Sequence, residues 1–214
     1  MVKNVMSLLA TFLLLGFAGK AQNNSKMYGA NASNEIWISD VSSINWIKIG
    51  SAVNVTGMCY CNNKIYASNA ANEIWKTSPN NISWTKVGSA SNVTAMCSYN
   101  NMIYATNTSN EIWMTNCDKI NWIKIGSAWT VNGMCVCNGK IYASNSSNEI
   151  WVTSPNNISW TKVGRAMNVV SLTGYDGKIY GANSSNEIWV TDCENINWVK
   201  LGSAWGVKGL AITQ

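Results

Sequence analysis

The chain contains no histidine and only two prolines, and charged residues make up just 12% of its 214 residues. Without histidine it lacks the side chain that most often serves as a general base and as a metal ligand. No lysine- or arginine-rich tract is present to hold nucleic acid. Beyond the N-terminus, no apolar run approaches the roughly 20 residues that a membrane helix needs. The sequence therefore predicts a non-enzymatic protein with no metal or other cofactor, no nucleic-acid partner and no membrane insertion.

Aromatic residues are abundant where charges are scarce, with 12 tryptophans and 8 tyrosines in the chain. Together with many β-branched residues, they can build a sizeable core in which strands are favoured. This composition is typical of an ordered all-β protein rather than of a disordered one.

The N-terminus has the pattern of a secretory signal peptide, because Lys3 precedes an apolar run from Val5 to Ala18 and small residues follow it. We expect residues 1–21 to be removed, which lowers the net charge from +5 to about +3. The mature chain, residues 22–214, is then predicted to be one secreted, extracellular domain.

One unit of 38 residues occurs five times without insertion, as in KIYASNAANEIW, and its copies start at 26, 64, 102, 140 and 178. A period of this length indicates a solenoid, a propeller or an array. Each unit holds four short runs of strand composition, separated by turn dipeptides such as Asn138-Gly139 and Asp176-Gly177. Both faces of the strands carry bulky residues, so the sheets must be covered on both sides. We therefore predict an all-β, five-bladed β-propeller with four antiparallel strands per blade.

The two ends of the chain are predicted to close this ring. The last residues, 206–214, match the run that precedes KIY in every other copy, so we expect them to form the innermost strand of the blade built from residues 26–50. Closure of this kind removes a free sheet edge. The other blades are predicted at about 51–88, 89–126, 127–164 and 165–202.

Every copy also carries a Glu-x-Trp segment and, after a turn, a Trp-x-Lys segment. Since alternate residues of a strand share a face, we expect Trp151 to pair directly with Trp160 and Glu149 with Lys162. The repeat glutamates are thus predicted to fix the strand register rather than to bind a ligand. They are five of the ten acidic residues, and the other five fall in predicted turns, which argues against the paired carboxylates of a glycosidase.

The order W-x-K-(I/V/L)-G, then (I/M)-Y-(A/G)-x-N and N-E-I-W, resembles the tectonin repeat over residues 26–214. The resemblance to tectonins, fish-egg lectins and tachylectins implies a β-propeller that binds sugars such as N-acetylglucosamine or bacterial surface polysaccharide. Together with the signal peptide and the fivefold repeat, this resemblance predicts a secreted, multivalent lectin, with a role in innate defence or agglutination. The alternative is a non-catalytic scaffold for protein–protein interaction, which would present a contiguous apolar or charged patch.

Candidate sugar contacts lie on one rim, where amide groups can meet the hydroxyls of a sugar and an aromatic face can meet its C–H groups. An Asn-x-x-Asn turn recurs there in every copy, which gives up to five equivalent sites between neighbouring blades. Trp129 and Trp205 follow Gly-Ser-Ala on the same rim, and an equally good interpretation is that they only wedge blades apart. The asparagines are Asn31 and Asn34, Asn69 and Asn72, Asn107 and Asn110, Asn145 and Asn148, and Asn183 and Asn186.

Seven cysteines leave at least one thiol unpaired. Cys59, Cys61 and Cys137 are predicted to be small apolar residues of inner strands, because their spacing does not suit a metal. Cys117 and Cys193 occupy equivalent turns two blades apart, so a bond between them within one ring is not expected. The alternative for these two cysteines is an intermolecular bond, and with it self-association. Recurrent Asn-x-Ser/Thr sequons, as at Asn54, Asn81 and Asn157, also make the chain a candidate glycoprotein.

Overall fold

The structure is a computed structural model that describes residues 25–52 and 54–213. The predicted signal peptide, residues 1–21, lies outside the described residues. Twenty strands form five four-stranded antiparallel sheets, arranged as the blades of a closed ring. Among the described residues there is no helix long and apolar enough to cross a membrane. The predicted fold, a five-bladed β-propeller, is confirmed.

The strands follow the 38-residue repeat. The first blade contains β1 (Lys26–Asn31), β2 (Glu35–Asp40) and β3 (Ile47–Ser51). The second contains β4 (Val55–Cys61), β5 (Lys64–Asn69), β6 (Glu73–Ser78) and β7 (Asn81–Ser89). The third contains β8 (Val93–Tyr99), β9 (Met102–Asn107), β10 (Glu111–Asn116) and β11 (Ile123–Ser127). The fourth contains β12 (Val131–Cys137), β13 (Lys140–Asn145), β14 (Glu149–Ser154) and β15 (Asn157–Arg165). The fifth contains β16 (Val169–Tyr175), β17 (Lys178–Asn183), β18 (Glu187–Asp192) and β19 (Val199–Ser203), and β20 (Val207–Ile212) follows it.

The C-terminal strand closes the ring as the sequence predicts. In the first sheet the strand order is β20-β1-β2-β3, so the last strand of the chain is the innermost strand of the first blade. Met27 lies opposite Ile212, and Gly29 lies opposite Leu210. Because β20 occupies the inner position, all five blades are complete.

The hydrophobic core lies between blades, in five clusters that each join neighbouring sheets. In one of them Tyr66 and Ile74 of the second blade pack against Val93 and Met96 of the third. The isoleucine that precedes tryptophan in each NEIW segment is almost fully buried, as Ile74 illustrates at 0% exposure. This arrangement explains why both faces of every strand carry bulky residues.

The predicted register of the outer hairpin is wrong, by two residues at Trp151 and by three at Glu149. Trp151 lies opposite Lys162, and Glu149 lies opposite Arg165. The extra residue of the shift at Glu149 is a β-bulge at Val163, which has no partner between the pairs Trp151–Lys162 and Ile150–Gly164. The same shift occurs in all five blades.

The indole of Trp160 shows the physical reason for this shift. Its Nε1 donates a hydrogen bond of 2.8 Å to the carbonyl oxygen of Ser127 in the neighbouring blade, instead of facing Trp151 directly across the hairpin. Each outer-strand tryptophan makes the equivalent bond. The predicted charge pair nevertheless forms, since Lys162 Nζ lies 2.6 Å from Glu149 Oε1.

Two disulfides, Cys61–Cys117 and Cys137–Cys193, join adjacent blades, with Cα–Cα distances of 6.4 and 6.3 Å. The prediction that Cys61 and Cys137 act as small apolar residues is therefore wrong, and so is the suggestion of intermolecular bonds from Cys117 and Cys193. Each bond connects the end of an innermost strand to the turn after the third strand of the next blade, two elements that the ring brings together.

The other three cysteines are unpaired and buried. They are Cys59, Cys97 and Cys135, at the same position of three successive inner strands. Burial raises the pKa of each thiol well above its usual value, so all three stay protonated and unreactive at neutral pH. For Cys59, the predicted role as a small apolar residue is confirmed.

Candidate functional site

The ring has two rims, which differ in the turns that form them. The upper rim carries the turns between the second and third strands of each blade, such as 32–34, and the connections between blades, such as 128–130. The lower rim carries the hairpin turns between the first and second strands, such as 62–63, and the turns between the third and fourth. All of the predicted sugar contacts lie on the upper rim.

The first asparagine of each Asn-x-x-Asn turn shapes that turn. Asn31 Oδ1 accepts hydrogen bonds from the backbone N–H groups of Ser33 and Glu35, at 3.1 and 3.0 Å. Such local bonds from an asparagine side chain are what favour this residue in turns. The same two bonds recur at the four other copies. They belong to Asn69, Asn107, Asn145 and Asn183.

The second asparagine of each turn has a positive φ, between 59° and 63°, a conformation that asparagine tolerates better than most residues. Asn110 holds the connection that leads to the next blade. Its backbone oxygen accepts from Ala128 N at 2.9 Å, and its Oδ1 accepts from Thr130 N at 2.8 Å. A side-chain bond of the same kind is made by Asn34, Asn72, Asn148 and Asn186.

The repeat glutamates collect three donors each. Glu149 Oε2 accepts from Asn145 Nδ2 at 2.9 Å and from Trp151 Nε1 at 3.0 Å, while Oε1 pairs with Lys162. The bond from lysine, then those from asparagine and tryptophan, lower the pKa of the Glu149 carboxyl to about 2. Equivalent networks lower the pKa of the other four repeat glutamates to about 2 as well. These carboxylates are fixed parts of the blade, which agrees with their predicted structural role.

These networks predict an acid-sensitive fold. A carboxyl whose pKa is about 2 when folded and near 4.5 when unfolded stabilises the native state fully above pH 4.5. That stabilisation is lost as the pH falls toward 2. Since the chain has no histidine, we expect a nearly constant melting temperature from pH 5 to 8 and a steep fall below 4.5. Thermal melts across this range check it, with Glu73→Gln as a variant whose melting temperature should fall less on acidification. If acidification lowers the melting temperatures of the parent protein and of Glu73→Gln equally, the stabilising role of the Glu73 carboxylate is wrong.

Trp129 and Trp205 each border a shallow, open aromatic cleft at a junction between blades, and the enclosed volumes are only about 10 and 20 Å³. The Trp129 pocket is lined by Trp151, Trp160 and Asn145, together with small aliphatic residues. The ring centroids of Trp129 and Trp151 lie 6.3 Å apart with an interplanar angle of 59°. Trp129 is 59% exposed, so most of its indole faces solvent.

The Trp205 pocket has the same construction at the junction of the fifth and first blades. Trp37, Trp46 and Asn31 line it. Trp205 is 66% exposed, and Asn186 anchors its connection through bonds from Ala204 N and Gly206 N. The structure thus unites two predicted site residues in each pocket, an exposed tryptophan and the first asparagine of a turn.

The other tryptophans of these pockets are site residues that sequence reasoning assigned to structure alone. Trp160 donates to the carbonyl oxygen of Ser127, only two residues before Trp129, and Trp46 makes the same bond to Ser203. The bond therefore orients one wall of each pocket relative to the exposed tryptophan. At the position of Trp129 and Trp205, the other copies have Val53, Ser91 and Met167.

A larger cavity, of about 620 Å³, opens where the inner strands reach the lower rim. The half-buried Tyr60, Tyr99 and Tyr175 line it, along with the hairpin turns of four blades. Toward the upper rim there is a separate void of only about 10 Å³, lined by residues such as Gly57 and Gly133. No sequence-predicted site residue lies in the large cavity.

Comparison with known proteins supports the β-propeller fold but shows neither a family nor a function. No family model matches the chain, and no curated protein does. A chain of a nidogen/laminin complex is 10% identical with a TM-score of 0.61, covering 89% of this chain and 98% of that one. A glutaminyl cyclase of Myxococcus xanthus is 14% identical with a TM-score of 0.53, covering 74% and 70%. At such identities the likeness shows the fold alone, and the protein is a five-bladed β-propeller, a fold consistent with a binding or scaffold role.

Proposed function

We propose that the protein is a secreted, non-catalytic lectin that binds N-acetylated amino sugars or microbial surface polysaccharide through its upper rim. The observation that carries this proposal is the pair of pockets in which three tryptophans meet a turn asparagine. Indole faces suit the apolar C–H faces of a sugar ring, and amides and hydroxyls suit its polar edge. The tectonin-like repeat points to the same class of ligand.

The polar groups beside the Trp129 pocket fit this chemistry. Asn145 is half-buried at the pocket wall; its Oδ1 accepts two backbone N–H groups and its Nδ2 donates to Glu149, so the second Nδ2 hydrogen is what it offers a sugar. The exposed Ser146 and Thr130 lie next to each other, since Ser146 Oγ donates to the Thr130 carbonyl oxygen at 3.3 Å. Donors and acceptors thus surround an aromatic surface that is already in position, which lowers the cost of binding.

Two of the five junctions have the full tryptophan set, so the proposed valency on the upper rim is two. A single shallow pocket binds weakly, but a surface dense in ligand lets both pockets engage at once. Effective concentration then raises avidity by about 10² to 10⁴. Multivalent binding to a glycan-coated surface is the expected mode of action.

The proposal is tested by removing the exposed tryptophans. We expect Trp129→Ala and Trp205→Ala each to weaken binding to a dense N-acetylglucosamine surface at least tenfold, because avidity needs two pockets. The double variant should lose the part of this binding that depends on ligand density. Met167→Ala is the matched control, because Met167 is 48% exposed at the same position of another junction but has no indole. Surface plasmon resonance measures these affinities.

A converse variant makes this test sharper. Ser91→Trp places an indole at the junction that already holds Trp113 and Trp122, and we expect it to raise avidity. All four substituted positions are exposed, so the melting temperatures of the five variants should stay close to that of the parent protein. If the double alanine variant binds the surface as well as the parent protein, the site assignment is wrong.

Exposed apolar residues on the outer strands favour the alternative function, a scaffold for protein–protein interaction. Ile47, Ile123 and Val199 lie on the outer strands of the first, third and fifth blades and are 61%, 57% and 58% exposed. Exposed apolar residues of this size suit a protein partner or a second ring. Self-association through these edges would appear as a concentration-dependent mass that Ile123→Lys reduces.

Export to an oxidising compartment is part of the proposal and is supported by the two disulfides, which persist in secreted proteins. Any N-glycans should avoid the Asn-x-x-Asn turns, because Asn31, Asn107, Asn145 and Asn183 direct their Nδ2 groups to glutamates. The exposed Asn81 and Asn157, at the lower rim, are the better acceptors.

A further inference from the structure

We propose that the 620 Å³ cavity of the lower rim is a second saccharide site, which would give the ring a binding surface on each face. The ligand class rests on the proposed function, but the cavity shares no lining residue with the tryptophan pockets. Three properties of the cavity carry the inference, namely its shape, its chemistry and its rigidity.

The cavity is a cup with one wide mouth. Its volume falls within the roughly 300–1,000 Å³ that small-molecule sites occupy. Toward the upper rim the inner strands converge, and a Cβ atom added to Gly133 would lie 2.9 Å from Leu172 N of the next blade. The void beyond, at about 10 Å³, has room for about one water molecule. A ligand must therefore enter and leave through the lower rim.

The walls favour a neutral, hydroxyl-rich ligand with an apolar face. Tyr60, Tyr99 and Tyr175 provide aromatic surface and hydroxyl groups around the mouth. Among the described residues, no lysine or arginine lines the cavity to hold an anion, and Asp176 is the one carboxylate side chain there. Amides line the mouth as well, and they belong to Asn62, Asn63, Asn100, Asn101 and Asn138.

Two of the turns that line the cavity, 62–63 and 138–139, are held in position by the neighbouring blades. Asn62 Nδ2 donates to Asp118 Oδ1 at 2.9 Å, which leaves its Oδ1 as an acceptor. Asn138 Nδ2 makes the corresponding bond to Glu194 Oε1 at 3.3 Å. The residues immediately before these turns, Cys61 and Cys137, are disulfide-bonded to the same neighbouring blades. Fixing the turns before the ligand arrives reduces the entropy lost on binding.

A site on each rim has a functional consequence. Two pockets on the upper rim bind one surface, and a cup on the opposite rim binds another. A single ring then cross-links two glycan-bearing surfaces without forming an oligomer, which is what agglutination requires.

The test uses N,N′-diacetylchitobiose and backbone amide NMR spectra of the whole protein. In the variant Trp129→Ala/Trp205→Ala, the sugar should still shift the signals of residues 62–63, 100–101 and 138–139. Adding Tyr60→Phe, Tyr99→Phe and Tyr175→Phe removes three hydroxyls while keeping the rings, and we expect affinity at these turns to fall at least fivefold. An unchanged upfield methyl region confirms that each variant is folded.

The outcomes separate the two proposals. If saturating sugar leaves the lower-rim turns unshifted while it shifts Trp129 and Trp205 indole signals of the parent protein, the second site is wrong and the proposed function stands. If the turns shift and the indole signals do not, the cup binds and the tryptophan assignment fails. If neither set shifts, both proposals are overturned.

Discussion

Deletion of residues 207–214 should leave the protein unable to form a stable ring. The deletion removes β20, whose side chains Val207, Leu210 and Ile212 are at most 7% exposed in the core between the first and fifth blades. It also strips the pairing partner from β1, and so exposes a row of backbone groups on an inner sheet edge. We expect loss of the cooperative thermal transition and a tendency to aggregate.

Circular dichroism melts of the deleted and full-length chains check this result, with removal of Gln214 alone as the matched control. A milder variant, Leu210→Ala, should cost about 2–5 kcal/mol, as truncations of buried leucines do. An unchanged melting temperature in the deleted chain would show that β20 does not close the ring.

Reduction of the two disulfides should destabilise the protein by up to about 4 kcal/mol per bond. Each bond joins cysteines that are 56 residues apart, and the chain-entropy account gives about this value for a loop of that length. The two loops do not overlap, so their contributions should be nearly additive. Urea unfolding with and without reductant measures the loss.

The variants Cys61→Ala/Cys117→Ala and Cys137→Ala/Cys193→Ala divide the effect between the bonds. A chain with all four substitutions is the control, because reductant should no longer change its unfolding midpoint. The buried thiols of Cys59, Cys97 and Cys135 are free in every case and should contribute nothing to the difference. Equal urea unfolding midpoints for the oxidised and reduced parent protein would show that the two disulfides do not stabilise the ring.

The repeat was enough to predict the fold, because its period, turn residues and chain ends are all properties of the sequence alone. The register of the outer hairpin was not predictable in the same way. Trp160 looked like a partner for Trp151 within one blade, but its N–H group is taken by Ser127 of the neighbouring blade. A pattern within one repeat cannot show a bond to the next sheet.

The disulfides left a signal that spacing within one repeat does not reveal. Cys61 and Cys137 are 76 residues apart, and so are Cys117 and Cys193. The pair Cys61 and Cys117 is therefore repeated two units later as Cys137 and Cys193. Each disulfide joins the two neighbouring blades of one such two-repeat unit. The sequence prediction considered Cys117 and Cys193 only as partners for each other, which left an intermolecular bond as the alternative. The relevant neighbours become visible when the ring is closed in space.

The candidate site was predicted in part. Trp129 and Trp205 do sit beside turn asparagines, in pockets that also use Trp151 and Trp37. The asparagine Oδ1 atoms, however, already accept hydrogen bonds from backbone N–H groups of the turns and of the connections between blades. These residues therefore shape the pocket as well as line it. Whether an amide is free or internally bonded depends on backbone geometry that the repeat pattern does not specify.

A glycan array, read with the parent protein and the variant Trp129→Ala/Trp205→Ala, tests the central claim most directly. The account predicts that the parent protein binds glycans with terminal N-acetylated amino sugars or microbial polysaccharides, more strongly at high printing density. It also predicts that the variant, folded to the same melting temperature, loses this dependence on density. An array without signal for the parent protein, or the same pattern for both proteins, would contradict the account.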